Sequence, residues 1–262
     1  MSIRLDKWLS NQGIGSRNEV NAMIRAGRVR VNGVMATLPK MKIDLQDRVT
    51  FDQDEIPYVR YRYFMLNKPE GIISATKDRH ETVMDRIRPE DQAGHRLFPV
   101  GRLDRDTTGL LLISDDGRLA HALLSPAHHV EKEYRVLLDR PIESWMIERF
   151  REGLRIPPDS EDTLPATLEA LPDHCGRVII VEGRYHQVKR MFEAVGRKVL
   201  KLERRRMGPL TLDKNLELGA YRALTEEEIS SLFDAAGLNR EEKSAFDLAQ
   251  GARTGLRNGK QE

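Results

Sequence analysis

The chain has 262 residues, 32% of them charged, and 43 basic residues nearly balance 41 acidic ones to give a net charge of +2. This length allows one large core, or a core with a small appended module. The single cysteine, Cys175, excludes an internal disulfide framework, and no apolar run reaches membrane-spanning length, so we expect a soluble, cytoplasmic protein without membrane contact.

The first 50 residues predict two helices followed by a hairpin. Ser16 and Glu19 have the spacing of a capping box for the second helix, and Gly27 ends that helix. Asn32 and Gly33 then provide a two-residue hairpin turn. The apolar positions that would form the core are Leu5, Trp8, Leu9, Val20, Met23 and Ile24. Over residues 2–48 this pattern resembles the S4 RNA-binding domain, which takes its name from a protein of the small ribosomal subunit.

Basic residues are concentrated in two stretches. Residues 1–50 contain nine Lys or Arg against four acids, and residues 177–206 contain ten against three. Two such stretches favour a polyanionic partner whose phosphates supply most of the affinity, although two solvated faces with scattered counter-ions would give the same count. The cations of the first stretch that we expect to bind RNA are Arg4, Lys7, Arg17, Arg25 and Arg28.

An acidic, poorly periodic stretch that ends at Pro57 predicts a linker over residues 51–60. The predicted organisation is therefore an S4-like domain at 1–50, a larger domain at 61–237, and a charged tail at 238–262. The tail has almost no core spacing, so we expect it to be disordered.

The larger domain is predicted to have an α+β fold with a mostly antiparallel sheet, because strands outnumber helices and do not alternate with them regularly. The predicted strands lie at 62–66, 110–113, 133–138, 166–171 and 178–181. The predicted helices lie at 118–124, 144–152, 187–195 and 227–233, the last capped by Thr225 with Glu228. A turn after the first strand is expected to leave Lys68 exposed.

Asp104 stands out because it lies just before the apolar strand at 110–113, at the expected edge of the core. A carboxylate there is costly to desolvate unless a cation or hydrogen-bond donors hold it. Asp104 therefore has either a partner and a chemical task, or the ordinary role of an aspartate that caps a turn.

A strand-to-helix junction at 183–190 carries Arg184, His186, Lys189 and Arg190. A lysine in the first turn of a helix is disfavoured by the helix dipole, so an anion is expected nearby. Asp104 is the candidate, since a contact with Lys189 would favour its ionised form. A solvated helix face is the alternative for these cations.

Several motifs together resemble the ribosomal small-subunit pseudouridine synthase A family over residues 2–233. They lie at 63–69, 101–110, 125–129, 131–134 and 182–192. The resemblance implies that Asp104 is catalytic, that Tyr134 stacks on the target base, and that Lys189 pairs with Asp104. It also implies that Arg102 holds the flipped-out region of the RNA. The other residues expected to contact RNA are Lys68, Arg184, His186 and Arg190.

The function that this resemblance implies is isomerisation of a uridine in ribosomal RNA, with uridine 516 of 16S RNA as the target. It implies no metal and no other cofactor, and we expect a monomer. Asp104 would either attack C1′ of the ribose or remove the 2′ proton, and both routes stay open. A sister synthase for 23S RNA and a non-catalytic ribosome assembly factor are the alternative functions.

Two other site chemistries are less favoured. Asp104 and Asp106 have the residue type of a glycosidase pair, but such a pair needs one protonated acid, whereas nearby cations keep both ionised. His128, His129 and Glu131 have the residue types of metal ligands, but no cysteine accompanies them and their spacing matches no helical zinc pattern.

Overall fold

The computed structural model describes residues 2–238, which divide into two compact units. The N-terminal unit contains the chain up to Arg62 together with Ile87–Leu97, and the larger unit contains Tyr63–Arg86 and Phe98–Leu238. Within this described part, no helix has the length and apolar character needed to cross a bilayer. The predicted tail lies outside the described residues from 239 onward.

The N-terminal unit contains three helices and several short strands. Its elements are β1 (Ser2–Arg4), α1 (Leu5–Asn11), α2 (Arg17–Arg25), β2 (Val29–Val31), β3 (Val34–Met35), β4 (Lys42–Asp44), β5 (Val49–Phe51), β6 (Asp54–Glu55) and α3 (Pro89–Gln92). Strand β1 pairs with β4, and a second sheet has the order β3-β2-β5-β6. The predicted order of helix, helix and hairpin is confirmed.

Local sequence signals explain why these elements begin and end where they do. The Ser16 hydroxyl accepts a hydrogen bond from the Glu19 amide, and the Glu19 carboxylate accepts one from the Ser16 amide at 2.8 Å, which completes the predicted capping box. Asn32 and Gly33 both have positive φ, as a two-residue hairpin turn requires. The buried core includes Leu5, Trp8, Leu9, Val20 and Ile24.

Part of the predicted linker at 51–60 is a hairpin instead. Strands β5 and β6 pair antiparallel, and Asp52 and Gln53 turn the chain between them with positive φ. Arg28 donates through Nε to the Asp52 carboxylate at 2.8 Å, so the acidic turn is held by a cation of the same unit. Strands this short carry no measurable periodicity, which is why the sequence pattern suggested a linker.

The larger unit is a sheet with helices on it. Its elements are β7 (Tyr63–Lys68), β8 (Phe98–Val100), β9 (Thr107–Ser114), α4 (Gly117–Leu124), β10 (Lys132–Leu138), α5 (Ser144–Glu152), β11 (Thr167–Ala170), β12 (Cys175–Ile180), α6 (Gln187–Ala194), β13 (Val199–Met207), β14 (Leu210–Thr211), β15 (Tyr221–Ala223) and α7 (Glu226–Ala235). The bounds of α5 equal the predicted ones, and Thr225 with Glu228 caps α7 as predicted.

The strand order is β11-β12-β10-β13-β9-β7-β15, with β8 paired to β9 and β14 to β13. The pair β9 and β13 is parallel, and the other pairs are antiparallel, so the predicted α+β fold with a mostly antiparallel sheet is confirmed. At Gly109, a Cβ atom would lie 2.3 Å from the Arg204 carbonyl oxygen. Only glycine allows β9 and β13 to approach this closely.

Candidate active site

The loop before β9 carries Asp104 and is fixed by hydrogen bonds to the Ser74 side chain and the Gly71 backbone of another loop. The Ser74 hydroxyl donates to the Leu103 carbonyl at 2.8 Å and accepts from the Leu103 amide at 3.1 Å. The Gly71 amide donates to the Arg105 carbonyl, and Arg105 Nε donates back to the Gly71 carbonyl, both at 2.8 Å. Asp104 therefore stands between two anchored backbone positions.

Lys68 is a second support of this loop, and the prediction that it is exposed is wrong. It is the last residue of β7 and is fully buried. Its ammonium donates to the carbonyl oxygens of Pro69 at 3.0 Å, Thr107 at 2.9 Å and Arg105 at 3.4 Å. Three backbone carbonyls accept hydrogen bonds from the buried ammonium. Its donors are therefore used inside the protein to support the loop, and they are not available to an RNA phosphate.

The predicted contact between Lys189 and Asp104 is present. Lys189 Nζ lies 2.8 Å from Asp104 Oδ2 and 2.5 Å from Asp106 Oδ1, so one ammonium bridges two carboxylates. Lys189 lies in the first turn of α6, and these acids are the anions that its position near the helix N-terminus calls for. The Asp104 side chain stays 27% exposed, which leaves it open to a reacting molecule.

The electrostatics of the cluster follow from burial and charge. Burial opposes the charge on Lys189, but the hydrogen bonds and charges of Asp104 and Asp106 outweigh it and raise the pKa of Lys189. Burial alone would raise the pKa of Asp106, and Lys189 reverses that effect and lowers it. For Lys68, burial dominates and lowers its pKa to about 8, although Asp104 and Asp106 partly oppose the shift.

His186 is adjacent to the other oxygen of Asp104, with Nε2 3.4 Å from Oδ1. It caps α6 with a left-handed backbone, φ +49°. Its ring stacks on that of Tyr185, with the ring centroids 3.8 Å apart and the planes 17° apart. The sequence therefore brings together Asp104, His186 and Lys189 as predicted, and Tyr185 is an addition that sequence reasoning missed.

Tyr134 lies on the sheet in a row that crosses five strands. The row runs from Val178 through Tyr134, Arg204 and Gly109 to Lys68, and paired residues in a sheet point to one face. Tyr134 is buried, and its strand β10 is separated by β13 alone from β9, the strand that follows the Asp104 loop.

Two buried cations on this face were also missed. Arg204 is 2% exposed and donates through Nε to the Leu110 carbonyl, while its Nη2 has no hydrogen-bond partner within residues 2–238. Burial and the charge of Arg204 lower the pKa of Lys132 to about 8, with Glu182 partly opposing this shift. The alternation of Lys132 with Tyr134 along β10 is the sequence signal that indicates this shared face.

Arg184 and Arg190 do not offer the free guanidiniums that we expected for RNA. Arg190 donates to the carbonyls of Ile156, Pro157 and Tyr185 and pairs with Asp159 at 2.8 Å. Arg184 pairs with Glu182 at 3.0 Å and donates to the carbonyls of residues 161 and 162. The guanidinium donors of both arginines are bound to carbonyl oxygens of one loop. They hold that loop in place and are not free to bind an RNA phosphate.

Other predicted cations are exposed without a side-chain hydrogen bond or ion pair in the part of the chain described by the structure. They are Lys7, Arg17, Arg25 and Arg102. By contrast, Arg4 pairs with Asp6, and Arg28 pairs with Asp52.

Among residues 2–238, no group of three or more His, Cys, Asp or Glu side chains has a geometry that could hold a metal ion. Glu131 pairs with Arg206 at 2.7 Å.

Comparison with known families assigns both units. Residues 62–194 match the family model described as RNA pseudouridylate synthase, and residues 3–49 match the S4 domain. The first match contains Asp104, Tyr134 and Lys189, and the second covers α1 and α2 of the N-terminal unit.

Individual relatives agree with this assignment. The chain is 43% identical over 232 residues to the ribosomal small subunit pseudouridine synthase A of Yersinia pestis, covering 88% of this chain and 98% of that one. It is 44% identical over 236 residues to an RNA pseudouridine synthase of Bacillus subtilis, again over 88% of this chain. A crystal structure of a pseudouridylate synthase matches with a TM-score of 0.63 at 39% identity, over 88% of this chain and 99% of that one.

Proposed function

This chain belongs to the RNA pseudouridylate synthase family, and we propose that it converts a uridine of small-subunit ribosomal RNA to pseudouridine, with Asp104 as the catalytic residue. The observation that carries the proposal is the carboxylate of Asp104, bridged by Lys189 on an anchored loop and still partly open to solvent. This arrangement holds a carboxylate oxygen at a fixed position, which the reaction needs.

The reaction breaks the bond between C1′ and N1 of uracil, rotates the base, and forms a bond between C1′ and C5. The proton on C5 leaves to water and N1 gains one, so the product is an isomer. Asp104 either attacks C1′ or removes the 2′ proton, and both steps need the ionised carboxylate. Lys189 donates a hydrogen bond to this carboxylate at 2.8 Å, and the pair accounts for the cation at the start of α6.

The base must leave its helical stack before it can rotate, so it needs an apolar surface to hold it. Tyr134 is a buried aromatic ring on β10, in register through Arg204 of β13 with Gly109 of β9, the strand that follows the Asp104 loop. We assign it as the ring that holds the target uracil. Arg102 is exposed and unpaired among the described residues, and we assign it to the RNA beside the extruded nucleotide.

The choice of small-subunit RNA is supported by the Yersinia pestis relative, whose name refers to the ribosomal small subunit. Within that RNA we propose uridine 516 of 16S RNA as the target. The S4 domain supports an RNA substrate in general. Its free cations Lys7, Arg17 and Arg25 supply sequence-independent phosphate contacts, and site choice then falls to the larger unit. We further propose that the protein acts as a monomer in the cytoplasm.

The role of Asp104 is tested by tritium release from 16S RNA that carries C5-tritiated uridine. We expect Asp104→Asn to lower the rate by about 10⁴-fold or more, because an amide neither attacks C1′ nor accepts the proton. Asp106→Asn is the matched control, since Asp106 binds the same ammonium, and it is expected to lose no more than about tenfold. Equal release by Asp104→Asn and wild type would remove Asp104 from the mechanism.

The target is tested by mapping pseudouridine in 16S and 23S RNA after incubation with the protein. One new modification at uridine 516 of 16S RNA is the expected result. A site in 23S RNA would instead identify a synthase of the large subunit, and binding without modification of either RNA would identify an assembly factor.

A further inference from the structure

Tyr185 is exposed in a way that folding does not explain. Its side chain lies beside the catalytic cluster on the strand-to-helix junction, and the residue is 76% exposed. One face of the ring is covered by His186 at a centroid distance of 3.8 Å, so the exposure belongs to the opposite face and the edges. A large aromatic face left open to water contributes little to stability.

The backbone under this ring is held in place from both sides. Arg190 donates to the Tyr185 carbonyl at 2.8 Å, and the Gln187 side chain accepts from the Arg184 amide at 2.9 Å. His186 is fixed in turn as the left-handed cap of α6 and by its position next to Asp104. Tyr185 is therefore an open ring on a rigid support, which costs little conformational entropy when something stacks on it.

We propose that the open face of Tyr185 binds an unpaired nucleobase of the RNA, from a nucleotide adjacent to the target uridine. This inference rests on the proposed function and adds a subsite to it. Nucleobases stack on tyrosine rings in single-stranded RNA recognition, because each base has a π face.

The geometry distinguishes this base from the target itself. The ribose of the target uridine must touch Asp104, which lies at the Nε2 edge of the His186 ring, whereas the open face of Tyr185 is the one turned away from His186. A base on that face therefore belongs to a neighbouring nucleotide. Stacking there holds the RNA strand on one side of the extruded uridine and fixes its register over Asp104.

The test measures single-turnover formation of pseudouridine in a 16S RNA transcript at increasing protein concentration, which separates half-saturation from the maximal rate. We expect Tyr185→Ala to raise the half-saturating concentration roughly 5- to 150-fold and to leave the maximal rate within about twofold. Tyr185→Phe keeps the ring and is expected to behave as wild type. Trp145→Ala is the matched control, since Trp145 is an exposed aromatic on α5, 48% exposed, without a contact to Asp104.

A direct readout uses 2-aminopurine at each of the two positions next to the mapped target uridine. Fluorescence at one position is expected to be quenched by wild type and Tyr185→Phe, but not by Tyr185→Ala.

An unchanged half-saturating concentration in Tyr185→Ala overturns the proposal. A fall in the maximal rate alone also overturns it, because it would mean that Tyr185 only positions His186. A change in oligomeric state in place of RNA affinity would assign the ring to a protein contact. If wild type forms no pseudouridine in the transcript, the proposed function fails first.

Discussion

The two units of this chain differ in the environment of most of the cations that we expected to bind RNA. In the N-terminal unit, Lys7, Arg17 and Arg25 are exposed and unpaired among the described residues. In the larger unit, Lys68, Lys132 and Arg204 are buried in the sheet, and Arg184 and Arg190 hold loop carbonyls. A surplus of cations in a sequence is therefore compatible with two roles, binding of a polyanion at the surface or hydrogen bonding inside the fold. The number of cations alone does not distinguish these roles.

The difference has a physical origin. An arginine has five donors in a planar fork, which match carbonyl oxygens of a loop as well as they match a phosphate. Which acceptor it finds depends on the tertiary neighbours. The helices of the small unit present their cations outward because the apolar stripe must face the core, whereas Lys68, Lys132 and Arg204 occupy buried positions of their strands.

The largest effect on stability is expected for Arg190→Ala. The substitution leaves the carbonyls of Ile156 and Pro157 without this donor and Asp159 without its 2.8 Å ion pair. We expect a loss of about 2–4 kcal/mol in the free energy of unfolding of the larger unit. Urea unfolding followed by Trp145 fluorescence, in a Trp8→Phe background shared by all variants, measures it.

Arg149→Ala is the control for that measurement. Arg149 forms an exposed pair with Glu152 on α5, and its removal is expected to change stability by less than about 0.5 kcal/mol. Equal effects of the two substitutions would mean that Arg190 is an ordinary surface cation, and the contrast between the units would disappear.

A pH dependence of intermediate size is expected from the buried lysines. The pKa of Lys132 in the folded protein is about 8, below its ordinary value of 10.5, because of burial and the charge of Arg204. The unfolded chain therefore binds more protons between pH 8 and 10.5, so this group makes the free energy of unfolding rise with pH across that window. Lys68 acts in the same direction.

Lys132→Met removes its share of that rise, which we expect to be on the order of 2 kcal/mol. The measurement compares urea midpoints of wild type and variant at pH 8 and pH 10. Lys189 has a raised pKa, so its stabilisation is lost only as pH rises above 10.5 and does not obscure this window. A variant with the same slope as wild type would show that Lys132 is hydrated in the folded state.

The smallest effect on stability, but a clear one on binding, is expected for Arg17→Ala. Arg17 has no ion pair in the described part of the chain, so the free energy of unfolding should change by less than about 0.5 kcal/mol. RNA affinity should fall, and the slope of log K against log salt should decrease in magnitude by about one. Arg28→Ala is the comparison, because Arg28 already pairs with Asp52 and should change the slope less.

The features that the sequence predicted well are those with local causes. The capping boxes at Ser16 and Thr225 and the helix at Ser144–Glu152 depend on residues three to eight positions apart. The contact between Lys189 and Asp104 spans 85 positions, yet it was also predicted, because a lysine at a helix N-terminus and an acid at a core edge each need an opposite charge.

The features that were missed depend on the surroundings. Lys68 follows the predicted strand at 62–66 and precedes a proline, which favours a turn. Its burial depends on acceptors that include the carbonyls of residues 105 and 107, which are distant in sequence. The short strands β5 and β6 are stabilised by pairing with a distant strand and by Arg28, neither of which leaves a local pattern. Tyr185 was missed because exposure cannot be inferred from a single aromatic in a basic stretch.

The hydroxyl of Ser74 has a consequence for the substrate. It clamps both the amide and the carbonyl of Leu103, so the loop of Asp104 is organised before any partner arrives. If the loop does not change conformation on binding, the RNA must change its own conformation to bring the uridine to Asp104. A uridine in a bulge or an open loop then meets a lower barrier than one in a duplex, since fewer pairs and stacks must break. Under the proposed function, secondary structure in the RNA would therefore govern when during subunit assembly modification takes place.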